Sequence, residues 1–290
     1  MVELPNVRLN LANTAENVVV VRAVLSGLAE SAGVDASDLA DIKTAVSEAC
    51  NNVVVHAYRG ERGPLDVAIE LGEGSMRVTV RDRGAGISDR ALQDDPGRVA
   101  LQDDPPGAIG LGLHVIRTLA RRVEFDHPPG GGTRVSMELA AHGLHALHPG
   151  LAGGPDLDLT GMMPRFAAAV SVAPARLAQA VLPRLACALA ARAHFSTDRL
   201  SDVQLLTDAL AAHAVKAVCA HHVSLGVSVQ PRDLELRIAP LRLGQAEGLV
   251  RASDLDGLGR VIETLADRHH ILAGESHETL ALCMLDRRAP

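Results

Sequence analysis

Glu48 and Asn52 stand four residues apart in the run DIKTAVSEACNNVVVHAY (residues 41–58), so on a helix they share one stripe, with His56 one turn further on. The carboxylate is a proton acceptor, and the carboxamide offers a neutral oxygen of the kind a hard cation prefers. Asp82 closes the strand-like run SMRVTVRD and is followed by Gly84 and Gly86 in DRGAG, which sets an acceptor carboxylate beside backbone that can pass close to a ligand. Gly110, Leu111 and Gly112 open a helical run, where bare N–H groups at a helix N-terminus hold anions. The other histidines lack Cys or carboxylate partners at ligand spacing, so His56, His142, His145, His148 and the doublets His221–His222 and His269–His270 are read as structural.

The elements that must position these side chains are legible. Ile42, Ala45, Val46, Ala49, Val53 and Val54 recur as one helical face beside the Glu48–Asn52 stripe. Val7 to Leu11 alternates as a strand, Thr14 caps a helix to about Ala32, and Ser37 or Asp38 starts the helix that carries Glu48. PLDVAIEL (64–71) and SMRVTVRD (75–82) form a hairpin through GEGS. A helix is predicted over 112–122, then strands VEFD and TRVSMEL around the turn PPGGG. Early helices followed by strands that pair as hairpins imply an α+β, two-layer sandwich, with helices covering one face of a mixed sheet. Between DRGAG and the last helix lies a tandem duplication, ALQDDPGRV (91–99) then ALQDDPPGA (100–108), which reads as a mobile, acidic loop.

Composition narrows the function. The 290 residues carry 28 Lys+Arg against 35 Asp+Glu, a formal charge of -7, which argues against a general binder of nucleic acid or of acidic membranes. One Tyr, three Phe and no Trp leave few platforms for base stacking. Cys50, Cys187, Cys219 and Cys283 form no CxxC pair and read as reduced core thiols. The start lacks the pattern of a signal peptide and no run is long enough for a membrane span, so a cytoplasmic protein is expected.

The second half repeats the first. DRLSDVQLLTDALAAHAVKAV (198–218) lies under the helix of Glu48 when Asp41 is set against Asp202. RDLELRIAPLRLG (232–244) lies under GSMRVTVRDRGAG, GLGRVIETLADRHHI (257–271) under GLGLHVIRTLARRVEF, and ETLALCML (278–285) under GTRVSMEL. The expected division is a domain over 1–140, a Gly- and Pro-rich linker over 141–161 and a degenerate copy over 162–290. An offset of 161 (202 minus 41) sets Ala209 at Glu48 and His213 at Asn52, and pairing Met76 with Leu234 sets Pro240 at Asp82 and Arg242 at Gly84.

KTAVSEACNNVVVHAY, VRDRGAGI and GLGLHVI, in this order and spacing, resemble the GHKL (Bergerat-fold) ATP-binding family, and most closely its anti-sigma factor serine kinases. The resemblance covers residues 7–139. It implies ATP and Mg²⁺ as cofactors, Glu48 as catalytic base and Asn52 as the metal ligand. It also implies Asp82 as acceptor for the adenine amino group, and Gly84, Gly86, Gly110, Leu111 and Gly112 as the nucleotide-binding loops. The implied partners are a sigma factor, held by the protein, and an anti-sigma factor antagonist, phosphorylated on serine. A non-catalytic ATP-binding scaffold is the alternative. The loop from Ile87 to Ile109 contains only Arg90 and Arg98 as basic residues, so no lysine is available there for the γ-phosphate and turnover is expected to be slow. Kinases of this type act as homodimers, so the tandem is expected to be a pseudo-dimer in one chain with a single nucleotide site, with further homodimerisation left open.

Overall fold

The computed structural model describes residues 6–85, 109–144, 167–252, 254–255 and 259–287. Gly86, Arg90, Arg98, the duplicated loop segments, His145 and His148 lie outside them. The chain divides into two compact units, Leu11–His148 and Met1–Asn10 with Pro149–Pro290.

The first unit runs from the end of β1 (Val7–Ala12) through α1 (Ala15–Ala32), α2 (Ala36–Asn52), a π-helical turn (Val53–Ala57), β2 (Pro64–Leu71), β3 (Ser75–Arg81), α3 (Ile109–Leu119), β4 (Ala120–Asp126) and β5 (Arg134–Ala140). Its sheet order is β1-β2-β3-β5-β4. Period-2 alternation sends Leu65, Val67, Ile69, Met76, Val78, Val80, Val135, Met137 and Leu139 to the buried face, against which α2 packs. The opposite face carries Arg77, Glu70, Glu138 and their like. This is the expected α+β arrangement of helices on one face of a sheet.

Helix boundaries follow local chemistry. Gly33 ends α1 in the left-handed region (φ 75°), where the Val34 N–H reaches the Ala29 carbonyl at 2.9 Å. α2 begins at Ala36, slightly before the expected Ser37 or Asp38, because the Asp35 carbonyl already accepts the Leu39 N–H. Asp38 instead takes the backbone N–H of His142 at 2.6 Å and its ring Nδ1 at 2.8 Å. Ala141 and Leu144 are buried, so Ala141–Leu144, assigned to the linker by their loss of periodicity, are packed into the first unit. α3 stops at Leu119, and Ala120 and Arg122 join a ladder with Leu139 and Glu138. The helix expected to reach 122 thus gives way to strand three residues earlier.

The second unit contains β6 (Ala168–Val172), α4 (Ala178–Arg192), α5 (Thr197–Ala217), β7 (Val223–Gln230), β8 (Asp233–Leu241), α6 (Gln245–Ala252), the short pair β9 (Asp254–Leu255) and β10 (Gly259–Arg260), α7 (Val261–Leu265), β11 (Arg268–Ala273) and β12 (Glu278–Leu285). Its strands run β11-β12-β8-β7-β6. Leu234↔Met284, Leu236↔Leu282 and Ile238↔Leu280 repeat the register of Met76↔Leu139, Val78↔Met137 and Val80↔Val135. Val135 thus answers Leu280, one residue away from the alignment of ETLALCML with GTRVSMEL. That alignment would set outward-facing Arg134 against a buried leucine. The four thiols are free; Cys50 is buried, and Cys219 is exposed rather than in the core. Among the described residues no helix is long and apolar enough to cross a membrane.

Candidate functional site

α2 and α3 pack against each other, and at their contact the first and third motifs meet. A methyl group added to Gly112 would stand 3.0 Å from Glu48 Oε2 and 3.4 Å from Asn52 Oδ1. A side chain there would crowd the Glu48 carboxylate and touch the Asn52 carboxamide, so both groups lie against the backbone of Gly112. Asn52 Nδ2 is buried and has no hydrogen-bond partner among the described residues. An orphaned buried amide N–H costs about 1–3 kcal/mol, so this donor calls for an acceptor beyond the described residues. Gly110 and Leu111 lie in the first turn of α3, just ahead of Gly112. His56 is half-buried on the π-helical turn.

The second motif is organised around Asp82, which is buried just beyond β3. Its Oδ1 accepts the Gly84 N–H at 2.7 Å and its Oδ2 the Thr133 N–H at 3.2 Å, while its own N–H donates to the Thr133 carbonyl at 3.0 Å. Burial pushes its pKa above the ordinary carboxylate value, and the N–H groups of Gly84 and Thr133 pull it back down. A carboxylate so fixed is a rigid acceptor. Gly84 must be glycine for a steric reason: a Cβ there would lie 2.0 Å from the Ala57 carbonyl oxygen. That carbonyl accepts the Ala85 N–H at 2.8 Å. The π-helical turn Val53–Ala57, continuing α2 past Asn52, thereby joins the helix of Glu48 to the loop of Asp82. Gly86 lies outside the described residues.

Three contributors were not singled out from the sequence. Thr133 and Gly132 clasp Asp82 from the start of β5; a Cβ on Gly132 would come within 2.1 Å of the Asp82 carbonyl oxygen. The signal available for them is the GGGT run, in which Gly132 reads as turn and Thr133 as the start of a strand. Tyr58, the sole tyrosine, accepts the Arg83 N–H at 2.8 Å. Nothing in its spacing announces that, because the contact spans 25 residues.

The donor set fits a magnesium–nucleotide pair better than a metal held by protein alone. Among the described residues there is no group of three or more His, Cys, Asp or Glu able to hold a metal ion. A single buried carboxamide beside a helix N-terminus matches Mg²⁺ when most of its ligands are phosphate and water oxygens.

Residues 11–139 match the model of the histidine kinase-like ATPase domain. The chain is 39% identical over 120 residues to serine-protein kinase RsbW of Halalkalibacterium halodurans, covering 40% of this chain and 72% of the relative. It is 29% identical over 133 residues to serine-protein kinase RsbW of Bacillus mycoides, covering 45% of this chain and 82% of that one. Among solved structures, the blue-light activated histidine kinase of Erythrobacter litoralis EL346 aligns with a TM-score of 0.28 and 25% identity, over 37% of this chain and 32% of that chain. Through residues 11–139 the chain belongs to the family of histidine kinase-like ATPase domains, together with the serine-protein kinases RsbW.

Proposed function

We propose that the first unit binds Mg²⁺·ATP and transfers its γ-phosphoryl group to a serine of an anti-sigma factor antagonist, and that the chain sequesters a sigma factor in the cytoplasm. The observation that carries the reading is the meeting of Glu48 and Asn52 at Gly112, a proton acceptor and a metal ligand at the mouth of α3. The serine-protein kinases to which residues 11–139 are similar support it.

In this reading Asp82 accepts a hydrogen bond from the adenine amino group, with Gly84 and Gly86 letting the backbone approach the base. The N–H groups around Gly110, Leu111 and Gly112 hold phosphate oxygens. Asn52 holds Mg²⁺ through its side-chain oxygen, and the bound ion supplies charge neutralisation on the phosphates. Glu48 accepts the proton of the serine hydroxyl as that oxygen bonds to the γ-phosphorus. The bond from the γ-phosphorus to the β–γ bridging oxygen breaks and ADP leaves. The new phosphoserine adds about two negative charges to the antagonist's binding surface, which ends its grip on this chain.

The second unit, in this reading, binds no nucleotide and stands in for the second protomer of a homodimer. Separately expressed halves that ignore each other, with full sigma-factor binding by the first alone, would refute that part. The kinase itself is tested with purified full chain, Mg²⁺, γ-labelled ATP and candidate antagonists encoded beside it. Label is expected on antagonist serine and is lost in Glu48→Ala. ATP binding without transfer to any candidate would instead make the protein a nucleotide-dependent scaffold.

A further inference from the structure

Three consecutive main-chain N–H groups in the loop after β3 are each held by a different acceptor. Arg83 donates to the Tyr58 hydroxyl at 2.8 Å, Gly84 to Asp82 Oδ1 at 2.7 Å and Ala85 to the Ala57 carbonyl at 2.8 Å. Two of these holds come from the backbone or from Asp82 itself. The Tyr58 hold is different, because a side-chain hydroxyl from outside this loop makes it and a single substitution removes that oxygen.

Tyr58 is well placed to be rigid. Its hydroxyl donates to the Pro64 carbonyl at 2.6 Å while accepting from Arg83, so both roles of the O–H are engaged. Its ring packs against Gly63, where a Cβ would lie 2.0 Å from Tyr58 Cε1. Burial raises the phenol pKa further above neutrality, so the O–H stays intact at working pH. The main chain of Asp82 is anchored on the other side by the Thr133 carbonyl. The Thr133 N–H holds Asp82 Oδ2, and Oδ1 is held by Gly84, whose position is set by its neighbours Arg83 and Ala85.

We propose that Tyr58 is a positioning residue for recognition of the nucleotide base: its hydroxyl fixes Arg83, Arg83 fixes Gly84, and Gly84 aims the Asp82 carboxylate. The inference rests on the ATP-binding reading. It assigns Tyr58 an effect on the base and none on the triphosphate.

The test is calorimetry on the full chain with two probes, Mg²⁺·ATP and Mg²⁺·tripolyphosphate. Tyr58→Phe is expected to raise the Kd for ATP about fivefold, the worth of one ordinary hydrogen bond, and to leave the Kd for tripolyphosphate unchanged. In an Asp82→Asn background the same change is expected to add nothing, because the two residues act through one contact. Normal ATP affinity in Tyr58→Phe, equal loss for both probes, or additive losses with Asp82→Asn would each overturn the proposal. Because Tyr58 is the only tyrosine, uniform incorporation of 3-fluorotyrosine labels this site alone and keeps the fold even if Tyr58→Phe does not. Its fluorine resonance is expected to shift with Mg²⁺·ATP and to stay in place with Mg²⁺·tripolyphosphate; a resonance indifferent to ATP, or one that moves equally with both, refutes the assignment. A wild-type chain that gives no heat with Mg²⁺·ATP removes the ATP reading and this inference together. A wild type that binds while Tyr58→Phe binds equally removes the inference alone.

Discussion

α2 of the first unit and α5 of the second bury the same stripe and present different chemistry beside it. Ile42, Ala45, Val46, Ala49, Cys50 and Val53 are buried, and so, 161 residues later, are Val203, Leu206, Thr207, Leu210, Ala211 and Ala214. On the neighbouring stripe Glu48 is answered by Ala209 and Asn52 by His213. At the strand end Asp82 is answered by Pro240, which has no acceptor side chain. A carboxylate does exist nearby in the second unit, but two residues before Leu280, where the first has Thr133. Glu278 accepts the N–H groups of Gly244 and Ala246 at 2.9 and 3.0 Å, and they hold its pKa below the ordinary value. It caps α6 from the position that Thr133 holds in the first unit, not from that of Asp82. Packing and chemistry are thus separable in this fold: the inward stripe survives intact while each of these site positions is replaced.

The largest expected effect breaks the asymmetry directly. Glu48→Ala should lower phosphoryl transfer about 10²- to 10⁴-fold while ATP still binds. The reciprocal graft, Ala209→Glu with His213→Asn, should give the second unit no nucleotide affinity, since Pro240 remains at the position of Asp82. Transfer of label from ATP and titration calorimetry on the two full-length variants decide this. Heat from ATP in a grafted chain that also carries Asp82→Asn would show that the second site is latent rather than dismantled.

The two loops that follow β3 and β8 also differ in how much they tolerate. Gly84→Ala forces a Cβ to within 2.0 Å of the Ala57 carbonyl oxygen, whereas a Cβ on Gly244 meets nothing within 4 Å. The first substitution should destabilise its unit by about 1–3 kcal/mol through overpacking. Gly244→Ala should cost only about 1 kcal/mol, for an alanine placed at φ 78°. Urea unfolding of the full chain separates these; equal losses would mean that the Ala57–Gly84 approach relaxes freely.

How much of this was legible depended on range. Glu48, Asn52, Asp82 and Gly112 stand out in the sequence because each lies in a motif whose spacing is local, four residues on a helix or two across a turn. The alternation of Val67, Val78 and Met137 gave the buried face for the same reason. Local patterns could not reveal that α2 leaves the α-helical path after Asn52, since Val53–Ala57 is apolar with the same spacing in either form. Nor could they show that α3 ends before Ala120. ARR favours a helix on its own, and only the ladder to Leu139 and Glu138 turns it into a strand. Tyr58 and Thr133 escaped because their partners, Arg83 and Asp82, are distant in sequence.

The units should also respond oppositely to acid. His222, 4% exposed, has no partner for either ring nitrogen among the described residues, and burial, with His221 nearby, depresses its pKa. Its contribution to stability is therefore complete above the unfolded value near 6.5 and is lost as the pH falls through it toward the folded value. Asp82 has a raised pKa, so the cost of burying its charge is present at neutral pH and relieved as the pH falls toward the unfolded value of 3.8. Urea unfolding at pH 7.5 and 5.5 should show net loss of stability, at most about 1.4 kcal/mol per pH unit from one group. His222→Leu should flatten that dependence and Asp82→Asn should not. An unchanged slope in His222→Leu would mean that the ring finds a partner on protonation.

The smallest effect concerns the sheet faces turned away from the helices. In the first unit Arg77, with 53% of its side chain exposed, reaches Glu70 at 3.5 Å and Glu138 at 3.8 Å. In the second, Arg237 is 27% exposed and holds Glu235 on its own strand at 2.7 Å. Exposed pairs at such distances gain little Coulomb energy in water and lose side-chain entropy in forming. Arg77→Ala should therefore change unfolding stability by less than about 0.5 kcal/mol. Arg237→Ala, with a shorter and better shielded contact, should cost slightly more but stay under about 1 kcal/mol. Both effects should shrink in 1 M salt, where screening acts within about 3 Å. A loss at Arg77 above 1 kcal/mol that persists in high salt would mean that the arginine stem, packed across the strands, supports the first unit's sheet through its methylenes rather than its charge.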